Sequence, residues 1–200
     1  MFLARLLTWL AFLVPATAAQ PAVRLHTPRP TPPTNMPPAD LVAELTALTT
    51  VSPQGCTLTV IDGTEITATH CIVGPYVGGG WTLDGDIATR GPLVHWADPT
   101  TIPVGATVIA IARPHPAGTP VVLALTSLGV QTVPFAGGWQ RMLMTVGNGA
   151  FCADGSSGSV GWTMIDGRLT PVGTLSAGTA DPAVTGLPAG LFVCGFALAH

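Results

Sequence analysis

The 200-residue chain carries 7 Lys and Arg against 10 Asp and Glu, a net charge of −3, so it has no basic stripe able to neutralise a row of phosphates and is not read as a nucleic-acid binder. Charged residues make up only 8% of it, while Gly and Pro number 24 and 20, a balance that favours short strands and tight turns over long amphipathic helices. With its first stretch set aside, about 150 residues remain, enough for one domain with a core of its own.

Residues 1–19 hold one cation, Arg5, an apolar run at 6–14 and the small residues Ala16, Thr17 and Ala18, the pattern of an export signal with its cleavage site. The alternative is a retained N-terminal anchor, but the run is shorter than the roughly 20 residues a bilayer span needs. Nothing later in the chain is long enough to span, so the processed protein is expected to be secreted, off the membrane and monomeric. Residues 20–38 are a linker: seven prolines fall between Pro21 and Pro38 with hardly a large apolar side chain, too little to fold alone. Residues 39–50 read as one short helix, with Leu41, Leu45 and Leu48 on one face and Asp40 near its N-terminus. It serves either as a brace on the domain or as a removable pro-segment.

Residues 51–200 form the expected domain. Short apolar runs at 57–61, 66–68, 76–83, 107–112, 121–125, 141–146, 160–165, 169–175 and 191–198 read as strands, and Asp62-Gly63, Asp84-Gly85 and Asp166-Gly167 mark turns. The fold class is all-β, a barrel or sandwich; periodicity alone does not distinguish one barrel from two. The four cysteines, Cys56, Cys71, Cys152 and Cys194, are expected to pair in an oxidising compartment, and four cysteines permit three pairings.

Two short motifs carry the chemistry. Thr67-Ala68-Thr69-His70-Cys71 puts a histidine at the end of an apolar strand, beside a cysteine able to pin it. Gly155-Ser156-Ser157-Gly158-Ser159 surrounds a serine with small residues that let a substrate carbonyl approach the backbone. Taken singly, each is more often a structural histidine or a flexible turn.

Together the two motifs resemble the chymotrypsin superfamily of trypsin-like serine proteases, whose histidine stands in Thr-Ala-x-His-Cys and whose serine stands in Gly-x-Ser-Gly-Gly/Ser. The likeness covers about residues 53–198 and includes Gly55-Cys56, Cys152, and Val172-Gly173-Thr174-Leu175-Ser176-Ala177-Gly178. It implies a compact two-barrel fold with a short N-terminal helix, and a secreted serine endopeptidase with His70 as general base and Ser157 as nucleophile. It also implies an oxyanion hole from the N–H groups of Gly155 and Ser157, and a substrate-binding strand at Ser176, Ala177 and Gly178, with Ser176 helping to orient the triad. The implied disulfides are Cys56–Cys71 and Cys152–Cys194; the first closes 15 residues, worth about 3 kcal/mol in the chain-entropy model.

For the third triad member, Gly85-Asp86-Ile87-Ala88 matches the family's Asp-Ile-Ala, and residues 105–112 resemble the strand that follows it in bacterial members. Asp86 is the choice, with Asp84 and Asp98 as alternatives and an aspartate in a Gly-rich turn as the bland reading. Family members normally fit at least one more hairpin between histidine and aspartate than the 16 residues from position 70 to 86 allow. Ser156 replaces the aspartate that pairs with a freed N-terminus during zymogen activation, so that route is not expected. The floor of the specificity pocket falls near Ala150 or Phe151, with Asp154 at the rim; neither floor residue is acidic, which favours a small or apolar side chain before the scissile bond.

His26, His95, His115 and His200 show no i, i+4 spacing and the cysteines no Cys-x-x-Cys, so neither metal nor cofactor is assigned. Trp81, Trp96, Trp139 and Trp162 are read as core or loop residues. The competing functional class is a secreted binding module of the same fold that has lost catalysis; a third reading is an unrelated β-domain with His70 and Ser157 far apart.

Overall fold

The computed structural model describes residues 36–72, 79–136, 138–148 and 152–200. The export signal, most of the proline-rich linker, the first part of the strand expected from Tyr76, and Ala150 and Phe151 lie outside the described residues.

The described residues fold as helix α1 (Ala39–Ala47) followed by eleven strands: β1 (Thr49–Val51), β2 (Thr57–Ile61), β3 (Thr64–Ala68), β4 (Thr82–Asp84), β5 (Ile87–Arg90), β6 (Thr107–Ala112), β7 (Val121–Phe135), β8 (Gly138–Asn148), β9 (Val160–Ile165), β10 (Arg168–Thr179) and β11 (Leu191–Ala197), with a one-turn helix α2 (Pro182–Thr185) before the last. Strands β1 to β5 make an antiparallel sheet in the order β1-β2-β3-β5-β4, and the other six close into a barrel, β10-β11-β8-β7-β6-β9. No helix among the described residues is long and apolar enough to cross a membrane.

Local chemistry sets several of these elements. At two hairpins the Asp-Gly pairs sit as the sequence suggests: Asp62 and Gly63 join β2 to β3 at φ 48° and 79°, and Asp166 and Gly167 join β9 to β10 at 50° and 74°, the doubly left-handed turn whose twist matches paired strands. At the third, the turn is displaced by one. Gly85 and Asp86 form it, and Asp84 ends β4 opposite Ile87.

Strand β6 shows why the two halves hold together. Val108, Ala110 and Ala112 join the core that fills the barrel, whereas Ile109 and Ile111 belong to a second core with Ile66 of β3, Ile87 of β5, and Val160 and Trp162 of β9. A strand buried on both faces reads as an unbroken apolar run. Helix α1 contributes Leu45, 2% exposed, to this same second core, with Leu41 and Leu48 packed beside it. The Arg113 guanidinium ties the end of the helix down through the Thr46 carbonyl and the Thr49 hydroxyl. The helix and β1 are thus built into the junction of sheet and barrel.

The long β7–β8 hairpin is the largest departure from expectation, which had only the 121–125 and 141–146 ends as strands. Residues between them include Gly129, Gln131, Thr132 and Pro134, which dilute the apolar pattern, and a register shift between Ser127 and Gly129 bends the arm. The arm reaches from the barrel toward the site described next.

Candidate active site

His70 lies in a single 3-10 turn (Thr69–Cys71) that begins where β3 ends. Strand β5 pairs directly with β3, Ala68 opposite Ile87, so the residue just before Ile87 faces the start of that turn. This pairing brings Asp86 to His70 across only 16 residues, with β4 displaced to the sheet edge rather than inserted between them. Asp86 is 5% exposed. Its Oδ2 lies 2.8 Å and its Oδ1 3.0 Å from His70 Nδ1, and Oδ1 also accepts the His70 backbone N–H at 3.1 Å. The Thr69 N–H donates to the Asp86 carbonyl at 3.1 Å. The imidazole itself is half-exposed, and the ring of Phe135, from the tip of the β7–β8 arm, stands edge-on at 6.1 Å.

The alternative aspartates are occupied elsewhere. Asp84 accepts from His200, from Nδ1 at 2.5 Å and from the backbone N–H at 2.8 Å. Asp98 caps the 3-10 turn at Pro99–Thr101; the Thr100 hydroxyl and N–H that donate to it hold its carboxyl below the usual range.

Ser157 belongs to the barrel half, yet its segment is seated against β2 and β3. The Thr57 N–H donates to the Ser157 carbonyl at 2.9 Å, and the Gly158 N–H donates to the Leu175 carbonyl at 2.8 Å. Gly158, at φ +87°, leaves no room for a side chain: a Cβ there would run into the Thr57 carbonyl and the Thr67 hydroxyl and stand 3.0 Å from the Ala68 nitrogen. The serine segment therefore abuts the strand end that carries His70. The Ser157 hydroxyl and the imidazole are not hydrogen-bonded to each other.

The N–H groups of Gly155 and Ser157 donate to no group among the described residues. Half-buried amides without such a partner, beside the Ser157 hydroxyl, are donors that an incoming oxyanion would satisfy. A cavity of about 310 Å³ opens here, with Asp154, Ser156 and Ser157 on one wall and Ser176, Ala177 and Gly178 of β10 on the other. Ser156 is buried, and its hydroxyl has no partner among the described residues.

Strand β10 carries a bulge between Leu175 and Ala177, and Ser176 is the extra residue. Its hydroxyl donates to the Thr174 carbonyl at 3.1 Å; it is Thr174, fully buried, whose hydroxyl reaches the Asp86 carbonyl at 3.3 Å. A second, apolar hollow of about 140 Å³, walled by Val133, Phe135, Met142 and Met144, shares Ala177 and Gly178 with the first. Neither Thr174 nor Phe135 stands out in the sequence, because each acts through a contact with a distant strand. The bridges are Cys56–Cys71 and Cys152–Cys194, one next to the His70 turn and one beside the serine segment.

No protein-family model and no curated protein matches the chain. Solved structures do. The NS6 protease from murine norovirus 1 superposes with a TM-score of 0.57 at 12% identity, over 82% of this chain and 94% of that one. An inactive Cys-to-Ala mutant of murine norovirus NS6 protease, carrying the P1 prime and P2 prime residues of NS7, gives 0.56 at 13% identity over 78% and 94%. The active form of the Rv3671c protease from M. tuberculosis gives 0.51 at 17% identity over 86% and 87%. With a five-stranded sheet and a six-stranded barrel meeting at the His70 and Ser157 segments, the chain has the fold of the chymotrypsin-like proteases.

Proposed function

We propose that the chain is a secreted serine endopeptidase that cleaves protein or peptide substrates through Ser157, His70 and Asp86. The observation that carries this reading is the buried Asp86 carboxylate held on His70 Nδ1 beside a serine segment with two N–H groups that have no partner among the described residues. The carboxylate favours the Nδ1–H tautomer, which leaves Nε2 as the base. Nε2 takes the Ser157 proton as the hydroxyl oxygen attacks the peptide carbonyl, and Asp86 stabilises the imidazolium. The same proton then passes to the leaving amine, and water, activated by the same nitrogen, releases the acyl group from Ser157. The Gly155 and Ser157 N–H groups hold the oxyanion, typically about 3 kcal/mol per donor. A hydroxyl rather than a thiol nucleophile is favoured because every cysteine is in a disulfide.

On this reading the substrate main chain pairs with Ser176, Ala177 and Gly178 of β10. A small side chain enters the larger cavity, whose lining is mostly polar, and an apolar side chain of the peptide rests in the hollow beside Phe135 and Met142. The two disulfides and the export pattern of residues 1–19 support secretion.

A catalytically inactive module is the second reading, favoured by the missing hydrogen bond between Ser157 and His70; in unliganded enzymes such contacts often tighten only when substrate binds. A fluorophosphonate probe separates the two. Labelling of the folded wild-type protein but not of Ser157→Ala is expected; no labelling of folded wild type turns the assignment to the module.

A further inference from the structure

We infer that Thr57 is a positioning residue for the oxyanion hole, an inference that rests on the peptidase reading above. Thr57 opens β2 directly after Cys56 and is fully buried. Each of its polar groups is engaged. Its N–H donates to the Ser157 carbonyl at 2.9 Å and its carbonyl accepts from the Thr67 hydroxyl at 2.9 Å. Its own hydroxyl donates to the Gly155 carbonyl at 2.9 Å while accepting the Arg113 N–H at 2.9 Å.

The peptide planes from Asp154 to Gly158 show what this does. In the Asp154–Gly155 plane the carbonyl accepts from the His115 N–H at 2.8 Å, and the N–H is unpaired among the described residues. In the Gly155–Ser156 plane the carbonyl is held by the Thr57 hydroxyl, and the N–H donates to the Ala153 carbonyl at 2.9 Å. In the Ser156–Ser157 plane the carbonyl accepts the Ser159 hydroxyl at 2.7 Å, and the N–H is again unpaired. In the Ser157–Gly158 plane the carbonyl accepts the Thr57 N–H, and the N–H goes to the Leu175 carbonyl.

The two unpaired donors thus alternate with two planes that are anchored at both ends, and Thr57 supplies one anchor to each. Because a peptide unit is planar, holding its carbonyl also fixes its N–H. The plane most able to turn is Gly155–Ser156, since Gly155 at φ +86° is free of the side-chain restriction that limits other residues. The Thr57 hydroxyl holds its carbonyl and, with the Ala153 carbonyl that accepts the Ser156 N–H, keeps this plane from turning. The Arg113 N–H donates to one lone pair of the hydroxyl, which favours the rotamer whose proton points at the Gly155 carbonyl. Preorganised donors aimed at developing charge lose their effect when they must reorient.

The test compares wild type, Thr57→Val, Thr57→Ser and Thr57→Ala in the processed full chain. The measurements are melting temperature, fluorophosphonate labelling, kcat and KM on a cleaved peptide, and inhibition by the matching peptide aldehyde, which forms a tetrahedral adduct. Removing one oxyanion donor outright lowers kcat by about 10²- to 10³-fold; loosening both donors in T57V is expected to lower kcat about 10²-fold. KM is expected to stay within about threefold, because the ground-state carbonyl asks less of these donors, and the aldehyde should weaken in parallel with kcat/KM. T57S keeps the hydroxyl and should keep most of kcat. T57A supplies a second hydroxyl-less variant with the same expected loss should T57V not fold. Retention of kcat in folded T57V or T57A, or equal losses in T57S and T57V, overturns the inference while labelled wild type leaves the peptidase reading standing. Failure of folded wild type to label overturns both.

Discussion

Replacing Asp86 with Asn tests the site most directly, because the change alters hydrogen-bond polarity at almost constant shape. In the wild type, two carboxylate oxygens serve two donors of one residue: Oδ1 takes the His70 backbone N–H at 3.1 Å, and Oδ2 takes Nδ1–H at 2.8 Å. An Asn side chain has one oxygen. If it keeps the backbone bond, its NH₂ group meets Nδ1, and two donors face each other unless the ring gives up its Nδ1 proton. The ring then carries its proton on Nε2, where it can no longer accept one from Ser157. For triads of this kind the wrong tautomer lowers kcat by about 10⁴-fold, which is about 5.4 kcal/mol on the barrier. The folded state should lose less, about 1–3 kcal/mol for the weakened buried bonds. The assay is the rate of fluorophosphonate labelling and kcat on a peptide substrate, with the melting temperature as the check on folding. Asp84→Asn and Asp98→Asn are the controls and should stay near wild type, since one carboxylate meets His200 and the other caps a turn. Labelling of Asp86→Asn within about tenfold of wild type, or a larger loss in either control, refutes the assignment.

Leu45→Ala should destabilise the domain by about 2–5 kcal/mol, because this side chain of α1 is buried among Ile66, Ile87, Ile109 and Trp162. A melting temperature unchanged by that substitution would mean that the helix is a dispensable pro-segment. Removing the bridges by paired Cys→Ser changes should cost about 3 kcal/mol for Cys56–Cys71, which closes 15 residues, and about 4 kcal/mol for Cys152–Cys194, which closes 42. Denaturant titration of the two double variants checks that order, and equal losses would count against the chain-entropy account.

Local chemistry made much of this protein legible. Strands β2, β6 and β9 fall on the residues their apolar runs mark, the Asp62-Gly63 and Asp166-Gly167 turns lie where the backbone needs left-handed residues, and α1 buries the leucine stripe its spacing defines. The His70 and Ser157 motifs are short because each element of the candidate site is built by neighbours in the chain: a strand end with a pinned histidine, and a glycine-flanked serine whose segment holds two amides unpaired among the described residues.

What only the tertiary structure decided depends on pairs of distant residues. That Asp86 rather than Asp84 or Asp98 meets the imidazole follows from β5 pairing with β3 and from a turn displaced by one residue, neither of which composition encodes. Strands β1 and β5 are three and four residues long, too short for a period to register. The β7–β8 arm is held by its partner strand and by packing against β11, through Val193, rather than by its own alternation, so Phe135 arrives beside His70 unannounced. Thr57 and Thr174 are ordinary strand threonines until the barrel half is laid against the sheet; only then do their hydroxyls find the carbonyls of Gly155 and Asp86. A sequence specifies contacts between near neighbours through propensity and turn chemistry, whereas a hydrogen bond spanning 98 residues exists only once the core has fixed both ends in place.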